Sequence, residues 1–268
     1  MNPNEPSWIA GLLDSARDGD TFTTPEPDGG AGPRLYGGLI AAQALAAAGR
    51  TVAPEKLPQS LHLYFVRGGQ YGTDVTFHVE RTRDGRAFDT RRVTATQHGK
   101  TILEMIASFH APEPGALWQR PEPIGIELDA AVPKAPNLGF AHRFEIRVVP
   151  GDDAVFATPP FWIRTRDRIE DDPLVRSAML TFMSDFGMVP VARPDGSSAS
   201  EEFAASLDHA VWFHHPSQFN AWHLYHQTSP SASGSRGFNL GQIYNADGVL
   251  VASTAQEGLM RYRPPAEA

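Results

Sequence analysis

The longest apolar run of the chain predicts a helix that is buried on every side. Residues 37–49 read GGLIAAQALAAAG, in which Gln43 is the only polar side chain. A helix without a polar face has to be surrounded by protein, and this one is too short for a bilayer, which takes about 20 apolar residues. Its small alanines let a curved sheet approach closely. We therefore expect this helix at the centre of the first half of the chain.

Alternating apolar and polar residues follow, and they predict antiparallel strands wrapped around that helix. Hairpin turns are expected at Asp84-Gly85 and at His98-Gly99. The predicted strands span residues 59–66, 75–82, 87–97 and 101–110. Upstream, a short amphipathic helix is predicted over 8–16 and an irregular Gly- and Pro-rich approach over 21–32.

Prolines cluster beyond residue 111 and indicate a linker. They recur throughout residues 112–140, where no regular element is expected because proline interrupts helices and sheets alike. The predicted organisation is an N-terminal domain of residues 1–111, a linker of residues 112–140 and a C-terminal domain of residues 141–268.

The second half of the chain repeats the first. A second helix is predicted over residues 174–186, with Asp172 as its N-cap, Pro173 at its first position and a stop at Gly187. Predicted strands span residues 144–149, 161–166, 206–214, 222–228, 235–244 and 249–259. Arg86-Ala87-Phe88 before the turn at Gly99 parallels Arg236-Gly237-Phe238 before the turn at Gly248. This pattern predicts a duplication with one helix per sheet.

Composition and charge narrow the functional classes. The chain lacks cysteine, which excludes disulfides and thiolate chemistry and fits a reducing cytoplasm. Its formal net charge of -8 argues against a nucleic-acid partner, although a local basic patch can still hold an anionic small molecule. The first residues lack the pattern of a signal peptide, and no stretch is long enough to span a membrane.

Alignment of the two halves at their turns isolates three polar residues. Asp185 and Gln256 match alanines of the first half, at about position 47 and at position 107, whereas Ser206 matches Ser60. Two of these polar groups therefore exist only in the second half, as expected of one working site and one silent site.

Each of the three residues also has a structural explanation. The C-terminus of a helix repels a carboxylate by about 0.3–1 kcal/mol at the surface, so Asp185 is either a solvated residue at a fraying end or an acid with a perturbed pKa. Gln256 is an ordinary residue type for a strand. The Ser206 hydroxyl can simply bond to a neighbouring backbone group.

Several motifs, taken together and in order, resemble the acyl-CoA thioesterase II family over most of the chain, from about residue 34 to 263. They are Tyr36-Gly37-Gly38, Arg83-Asp84-Gly85, Phe109-His110-Ala111-Pro112, Met183-Ser184-Asp185-Phe186, Leu207-Asp208-His209, Trp212-Phe213-His214 and Ala252-Ser253-Thr254-Ala255-Gln256-Glu257-Gly258. The resemblance implies an α+β double hotdog, in which two antiparallel sheets each wrap around a central helix.

The resemblance also implies a catalytic aspartate, a hydroxyl residue and a glutamine, which fall on Asp185, Ser206 and Gln256. The hydroxyl residue is usually threonine in the family, so Ser206 departs from the pattern while keeping the oxygen. Thioester hydrolysis needs an activated water and donors for the developing oxyanion. We expect Asp185 to deprotonate water that Ser206 and Gln256 hold, and the N–H groups of Gly37 and Gly38 to polarise the thioester carbonyl.

The expected substrate is an acyl-CoA with an apolar chain of at least medium length, because each buried methylene contributes about 0.8 kcal/mol. No cofactor and no metal are expected, and the resemblance implies a homo-oligomer, a dimer or larger. The arginines at 81, 83, 91 and 92 read as solvated strand positions, with contact to CoA phosphates as the alternative.

Other functions have weaker signals. Five histidines crowd one region, but strand alternation would divide them between faces and none forms HExxH: His209, His214, His215, His223 and His226. Neither a G-x-S-x-G elbow nor a dinucleotide fingerprint is present. A hotdog hydratase acting on enoyl thioesters and a non-catalytic acyl-CoA binder stay open, although no histidine is placed beside Asp185 by spacing.

Overall fold

The computed structural model describes residues 6–25, 34–120, 125–135, 140–152, 159–192 and 201–262. The helices in these ranges are α1 (Trp8–Leu13), α2 (Gly37–Gly49) and α3 (Pro173–Ser184). Short 3-10 turns occupy Ala141–Arg143 and Val189–Ala192. Part of the predicted approach, residues 26–32, and parts of the predicted linker lie outside the described residues.

The strands form one antiparallel sheet that curls around α2 and α3. In the first half they are β1 (Ala16–Asp18), β2 (Thr21–Thr24), β3 (Leu57–Phe65), β4 (Val75–Asp84), β5 (Phe88–Gln97) and β6 (Lys100–His110). In the second half they are β7 (Val132–Lys134), β8 (Phe144–Val148), β9 (Phe161–Thr165), β10 (Glu201–Ser206), β11 (Asp208–Phe213), β12 (His223–Ser233), β13 (Arg236–Asn245) and β14 (Leu250–Tyr262). Their order is β1-β2-β4-β5-β6-β3-β11-β14-β13-β12-β9-β8-β7, with β10 paired to β14.

The two central helices run antiparallel and touch through glycines. A Cβ atom on Gly38 would lie 2.3 Å from the carbonyl oxygen of Phe182, and one on Gly49 would lie 2.4 Å from a methyl carbon of Leu174. At Gly38 the obstacle is a backbone oxygen, so only glycine allows the approach, whereas at Gly49 the flexible Leu174 side chain can move aside. Residues 38–48 of α2 are buried throughout, so the predicted central helix is confirmed with its bounds.

The second helix begins as predicted and ends earlier. The Asp172 side chain accepts hydrogen bonds from Leu174 N at 2.7 Å and Val175 N at 3.1 Å, and Pro173 occupies the first turn. The helix ends at Ser184 rather than at residue 186, so Asp185 is its C-cap and not part of its last turn. Gly187 takes the left-handed conformation, with φ at 72°, that the chain needs to turn away.

The halves join where β3 pairs with β11, which makes the two hotdog sheets one continuous surface. This seam is five residue pairs long, from Ser60 with Trp212 to Tyr64 with Asp208. The pairing is antiparallel, so when β3 is superposed on β11 and β11 on β3, the first residue pair of the seam falls on the last. Ser60 therefore corresponds to Asp208, and the predicted match between Ser60 and Ser206 is wrong.

The physical reason for this correction is a break in the strand. Residues 206–214 were predicted as one strand, but Leu207 separates β10 from β11, and a bulge interrupts β3 between Pro58 and Ser60. Matching the first residue of a predicted strand to its counterpart fails when both strands are irregular there.

Three further expectations are corrected. Residues 21–24 form β2 rather than an irregular segment. The predicted linker contains β7, an edge strand that tolerates Pro133 because only one side is paired. Arg91 is not a solvated strand position: its side chain is buried, and its Nε donates to Thr51 Oγ1 at 2.7 Å.

No helix in the described ranges is long and apolar enough to cross a membrane.

Candidate active site

Asp185 lies where the end of α3 meets the start of α2. Its Oδ2 accepts a hydrogen bond from the N–H of Gly38 at 2.9 Å. A Cβ atom on Gly37 would lie 2.8 Å from the same oxygen, so the glycine at 37 is what lets the carboxylate come so close. The two predicted glycines thus position Asp185, and the Gly38 N–H is committed to it.

Ser206 and Gln256 meet at this carboxylate, as the sequence predicts. Ser206 is the last residue of β10, and Gln256 lies on the neighbouring β14. The Gln256 Nε2 donates to Ser206 Oγ at 2.7 Å, and both side chains hydrogen-bond to Asp185. All three predicted residues therefore belong to one cluster.

A second row of polar groups holds Gln256 from behind. The His209 Nδ1 lies 2.7 Å from Gln256 Oε1, and its Nε2 lies 2.8 Å from the hydroxyl of Ser184. Both His209 and Gln256 are only 1% exposed. The histidine thus links β14 to the helix residue directly before Asp185. Sequence reasoning placed no histidine here, and the motif Leu207-Asp208-His209 was its only signal.

The proton positions in this row follow from the orientation of the Gln256 amide, whose oxygen faces His209 and whose nitrogen faces Ser206. Because Gln256 Oε1 can only accept, His209 Nδ1 carries the proton, and the unprotonated Nε2 shares the Ser184 hydroxyl proton with the Thr181 carbonyl, which lies 2.9 Å from the same hydroxyl. The Gln256 amide then has two protons, one for Ser206 and one for Asp185. Burial lowers the pKa of His209 to about 4, so the ring stays neutral near pH 7.

The environment of Asp185 raises the pKa of its carboxyl group. Burial raises the pKa of its carboxyl to about 7, against the opposing effect of hydrogen bonds from Gly38, Gln256 and Ser206. An ordinary aspartate has a pKa of about 3.9. The desolvation therefore outweighs three donors, and the group exchanges a proton near neutral pH, where a general base works best.

Asp185 and Ser206 open onto a cavity of about 550 Å³. Its wall is largely apolar: Leu35, Tyr36, Ile40, Phe65, Val66, Ile102, Met188, Val189, Pro190, Phe203, Leu207 and Leu259. Gly37 also lines it, whereas Gln256 lies behind the wall. Within this largely apolar lining, the carboxyl of Asp185 and the hydroxyl of Ser206 are adjacent polar groups that can face a ligand, while the Tyr36 hydroxyl donates to the Phe182 carbonyl.

A smaller cavity of about 230 Å³ occupies the equivalent place in the first half. Pro58 lines it, and Pro58 pairs with Phe109 of β6 as Ser206 pairs with Gly258 of β14. The position of the serine is thus occupied by a residue without a side-chain polar group. This counterpart is therefore smaller and has no hydroxyl group at the position of Ser206.

The histidines do not gather around a metal. Across the described ranges, no group of three or more histidine, aspartate or glutamate residues is arranged to hold a metal ion. His209 is bound to Gln256 and Ser184, while His223 contacts Ser217 and a backbone carbonyl. These rings serve hydrogen bonds within the fold.

A carboxyl group with a near-neutral pKa can take a proton from a bound water, and a hydroxyl beside it can hold that water. An apolar ligand with one polar, electrophilic group fits this wall. The site thus suits hydrolysis of an ester-like bond next to an apolar chain.

Comparisons with known proteins point to the same chemistry. One family model, described as acyl-CoA thioesterase, matches residues 142–259, and another, described as acyl-CoA thioesterase N-terminal domain, matches residues 24–110. A mouse protein named acyl-coenzyme A thioesterase 8 is 37% identical, covering 86% of this chain and 81% of its own length. Acyl-CoA thioesterase 2 of Haemophilus influenzae is 32% identical, covering 85% and 88%. The solved structure of acyl-CoA thioesterase II TesB2 from Mycobacterium marinum superposes with a TM-score of 0.81 at 35% identity, covering 97% and 99% of the two chains.

Proposed function

The chain belongs to the acyl-CoA thioesterase II family of thioester hydrolases, and from this premise we propose that it hydrolyses medium- to long-chain fatty acyl-CoA to free fatty acid and CoA. The observation that carries the proposal is a buried carboxyl with a pKa near 7 that opens, beside a hydroxyl, onto an apolar cavity.

Asp185 acts as the general base. It takes a proton from a water whose oxygen attacks the thioester carbon, while the Ser206 hydroxyl holds that water in place. The tetrahedral intermediate collapses with cleavage of the C–S bond. The leaving thiol has a pKa of about 8.5, so the proton held on Asp185 is sufficient to neutralise the thiolate.

Gln256 positions this pair rather than the water. Its amide lies behind the cavity wall and donates to both Ser206 and Asp185. His209 fixes the amide through Oε1. A continuous row of hydrogen bonds therefore connects Ser184, His209, Gln256 and Asp185. This arrangement keeps both Gln256 protons directed at the reacting groups.

The developing oxyanion is stabilised at the start of α2. The first N–H groups of a helix have no carbonyl partner within it, and the helix dipole favours negative charge there. Because Gly38 already binds Asp185, the donor is the N–H of Gly37, which lines the cavity and has no partner within the described part of the chain.

The acyl chain occupies the apolar part of the cavity. Each methylene that enters it contributes about 0.8 kcal/mol, so kcat/KM should increase from acetyl-CoA to octanoyl-CoA. Equal specificity constants for these two substrates would contradict the proposed chain length.

A panel of acyl-CoA and enoyl-CoA substrates tests the reaction class. Release of free thiol, together with free fatty acid by mass spectrometry, is the expected result. A hydrated product that keeps its thioester would indicate a hydratase, and binding without turnover would indicate a non-catalytic acyl-CoA binder; either result would overturn the proposal.

Variants of the cluster test the residue roles. Ser206→Thr should be nearly neutral because the hydroxyl survives, Ser206→Ala intermediate, and Gln256→Ala clearly slower. The control is Ser60→Ala, which removes a buried hydroxyl of the seam strand β3 that lines neither cavity and should leave turnover unchanged. A folded Ser60→Ala variant with as large a loss as Ser206→Ala would contradict a specific role for the Ser206 hydroxyl.

We further propose a cytoplasmic homo-oligomer, a dimer or larger. The family resemblance supports the assembly and the cysteine-free composition supports the compartment. Light scattering at micromolar concentration tests the assembly, and a monomer would contradict it.

A further inference from the structure

Two arginines stand at the rim of the Asp185 cavity. Arg34 lies just before α2 and Arg67 just after β3, and both side chains line the cavity while remaining exposed. Within the described part of the chain neither forms an ion pair. Both charges are therefore available to a ligand.

The rim holds these arginines in place by contacts that leave their charge uncompensated. The Arg34 guanidinium lies 5.0 Å from the centre of the Phe203 ring, and Arg67 Nη1 donates to the Thr101 carbonyl at 2.8 Å. A Cβ atom on Gly68 would lie 2.9 Å from Arg34 Cδ, so the glycine makes room for the arginine to cross it. A neutral ring and a backbone carbonyl orient the cations without neutralising them.

The position of this pair, rather than the lack of an ion pair, sets it apart. The net charge is -8. Some arginines of the sheet pair with carboxylates, as Arg81 does with Asp20 and Arg164 with Glu145, and Arg86, which forms no ion pair within the described ranges, lies away from the cavity. An acidic protein that must attract an anion needs a local positive potential at the entrance. Arg34 and Arg67 are the described cations that line this cavity.

We propose that Arg34 and Arg67 bind the phosphate groups of the substrate's CoA moiety. This assignment rests on the proposed function. With the acyl chain in the apolar cavity and the thioester at Asp185, the anionic end of the substrate leaves through the rim. Guanidinium groups pair with phosphate oxygens through two parallel N–H donors, which fixes the orientation in which the thioester enters.

The test compares two substrates with the same acyl chain: octanoyl-CoA and S-octanoyl-N-acetylcysteamine, which keeps the thioester but lacks the phosphates. Arg34→Ala and Arg67→Ala should each raise KM for octanoyl-CoA about 10-fold or more. The kcat should change little, since the lost contacts are the same in the ground and transition states. Turnover of the truncated thioester should be unaffected, which also shows that each variant folds.

Arg86→Ala is the matched control, because Arg86 is exposed on a hairpin outside the cavity wall. It should leave both substrates unchanged. The kcat/KM of the wild type for octanoyl-CoA should decrease as the salt concentration increases. A double variant that combines Arg34→Ala and Arg67→Ala should no longer show this dependence on salt. Equal losses on both substrates, or unchanged KM for octanoyl-CoA, would overturn the assignment. Absence of turnover of either substrate by the wild type would instead overturn the proposed function.

Discussion

At the residue scale, Asp185 is held between opposing helix ends. As the C-cap of α3 it faces the negative end of one dipole, while the Gly38 N–H brings it to the positive end of α2. These two effects oppose each other, so desolvation decides the protonation state and raises the pKa to about 7. The pKa of Asp185 is therefore raised by burial rather than by a neighbouring charge.

The activity should follow this pKa. Because the carboxylate form is the base, kcat/KM should increase about tenfold per pH unit below 7 and level off above it. Asp185→Asn keeps the shape but removes the base, so the rate should fall by about 10²–10⁴-fold and the inflection near pH 7 should disappear. A pH–rate profile of both proteins measures this, and an inflection that persists in the variant would assign it to another group.

The same pKa should be visible in stability. The folded state holds the Asp185 proton up to about pH 7, whereas the unfolded chain releases it near its ordinary pKa of about 3.9. The raised folded pKa thus stabilises the protein at low pH, and this contribution is lost as the pH rises to about 7. The unfolding free energy of Asp185→Asn minus that of the wild type should therefore increase, by at most about 1.4 kcal/mol per pH unit, as the pH rises through this interval. Urea titrations at several pH values test it; a constant difference would contradict the raised pKa.

His209 should act through Gln256. His209→Leu leaves Gln256 Oε1 without its buried donor, a loss of about 1–3 kcal/mol, and should lower kcat with little change in KM. His209→Gln offers an amide donor to Gln256 and an acceptor to Ser184, so it should recover part of the rate. Steady-state kinetics of the two variants, with folding checked by circular dichroism, separate positioning from packing. Equal kcat values for His209→Leu and His209→Gln would indicate that the His209 ring only contributes to packing.

Asp185 and Gln256 were within reach of the sequence, and the histidine behind Gln256 was not. Asp185 and Gln256 stand out because their counterparts in the first half are alanines by turn alignment. His209 also has an apolar counterpart, Leu61 by the register of the seam, but the direction of its side chain depends on the break at Leu207, which one strand prediction over 206–214 concealed. A contact that depends on one residue of register cannot be inferred from alternation alone.

At the scale of elements, long periodic segments were predictable and short edge strands were not. The helix at 37–49 has no polar face apart from Gln43, so its bounds follow from composition. In contrast, β1, β2 and β7 have three or four residues each, too few for a period. They form because neighbouring strands offer free edges, which is a property of the assembled sheet.

The contact between α2 and α3 should depend on Gly38. Gly38→Ala puts a Cβ atom into the carbonyl of Phe182, so the helices must separate. We expect a loss of about 1–3 kcal/mol in unfolding free energy and a larger loss of activity, because the Gly38 N–H leaves Asp185. The control is Gly11→Ala in α1, where a Cβ atom has no neighbour within 4 Å; it should be as active and about 0.5–1 kcal/mol more stable. Thermal unfolding and turnover of both variants test this, and a neutral Gly38→Ala would contradict the close approach.

At the scale of the whole molecule, the two halves are interlocked rather than merely adjacent. The N-terminal helix α1 packs on both halves, and Gln43 of α2 donates to the Leu12 carbonyl at 2.9 Å. Trp8 contacts the rings of Phe140, Phe144 and Phe182 at 5.3–5.9 Å, and Ser7 bonds to the carboxylate of Glu170. The duplication in sequence therefore does not produce two independent units.

The intact chain should consequently unfold in a single transition. The seam between β3 and β11 and the contact between α2 and α3 both cross from one half to the other, so loss of either half exposes the edge strand and apolar helix of its partner. Urea curves followed by tryptophan fluorescence and by far-UV circular dichroism should coincide. Trp8→Ala should shift both curves together by about 2 kcal/mol, below the 3–5 kcal/mol of a fully buried tryptophan because Trp8 is only partly buried. Two separated transitions, or a shift in one probe alone, would mean that each hotdog is stable without the other.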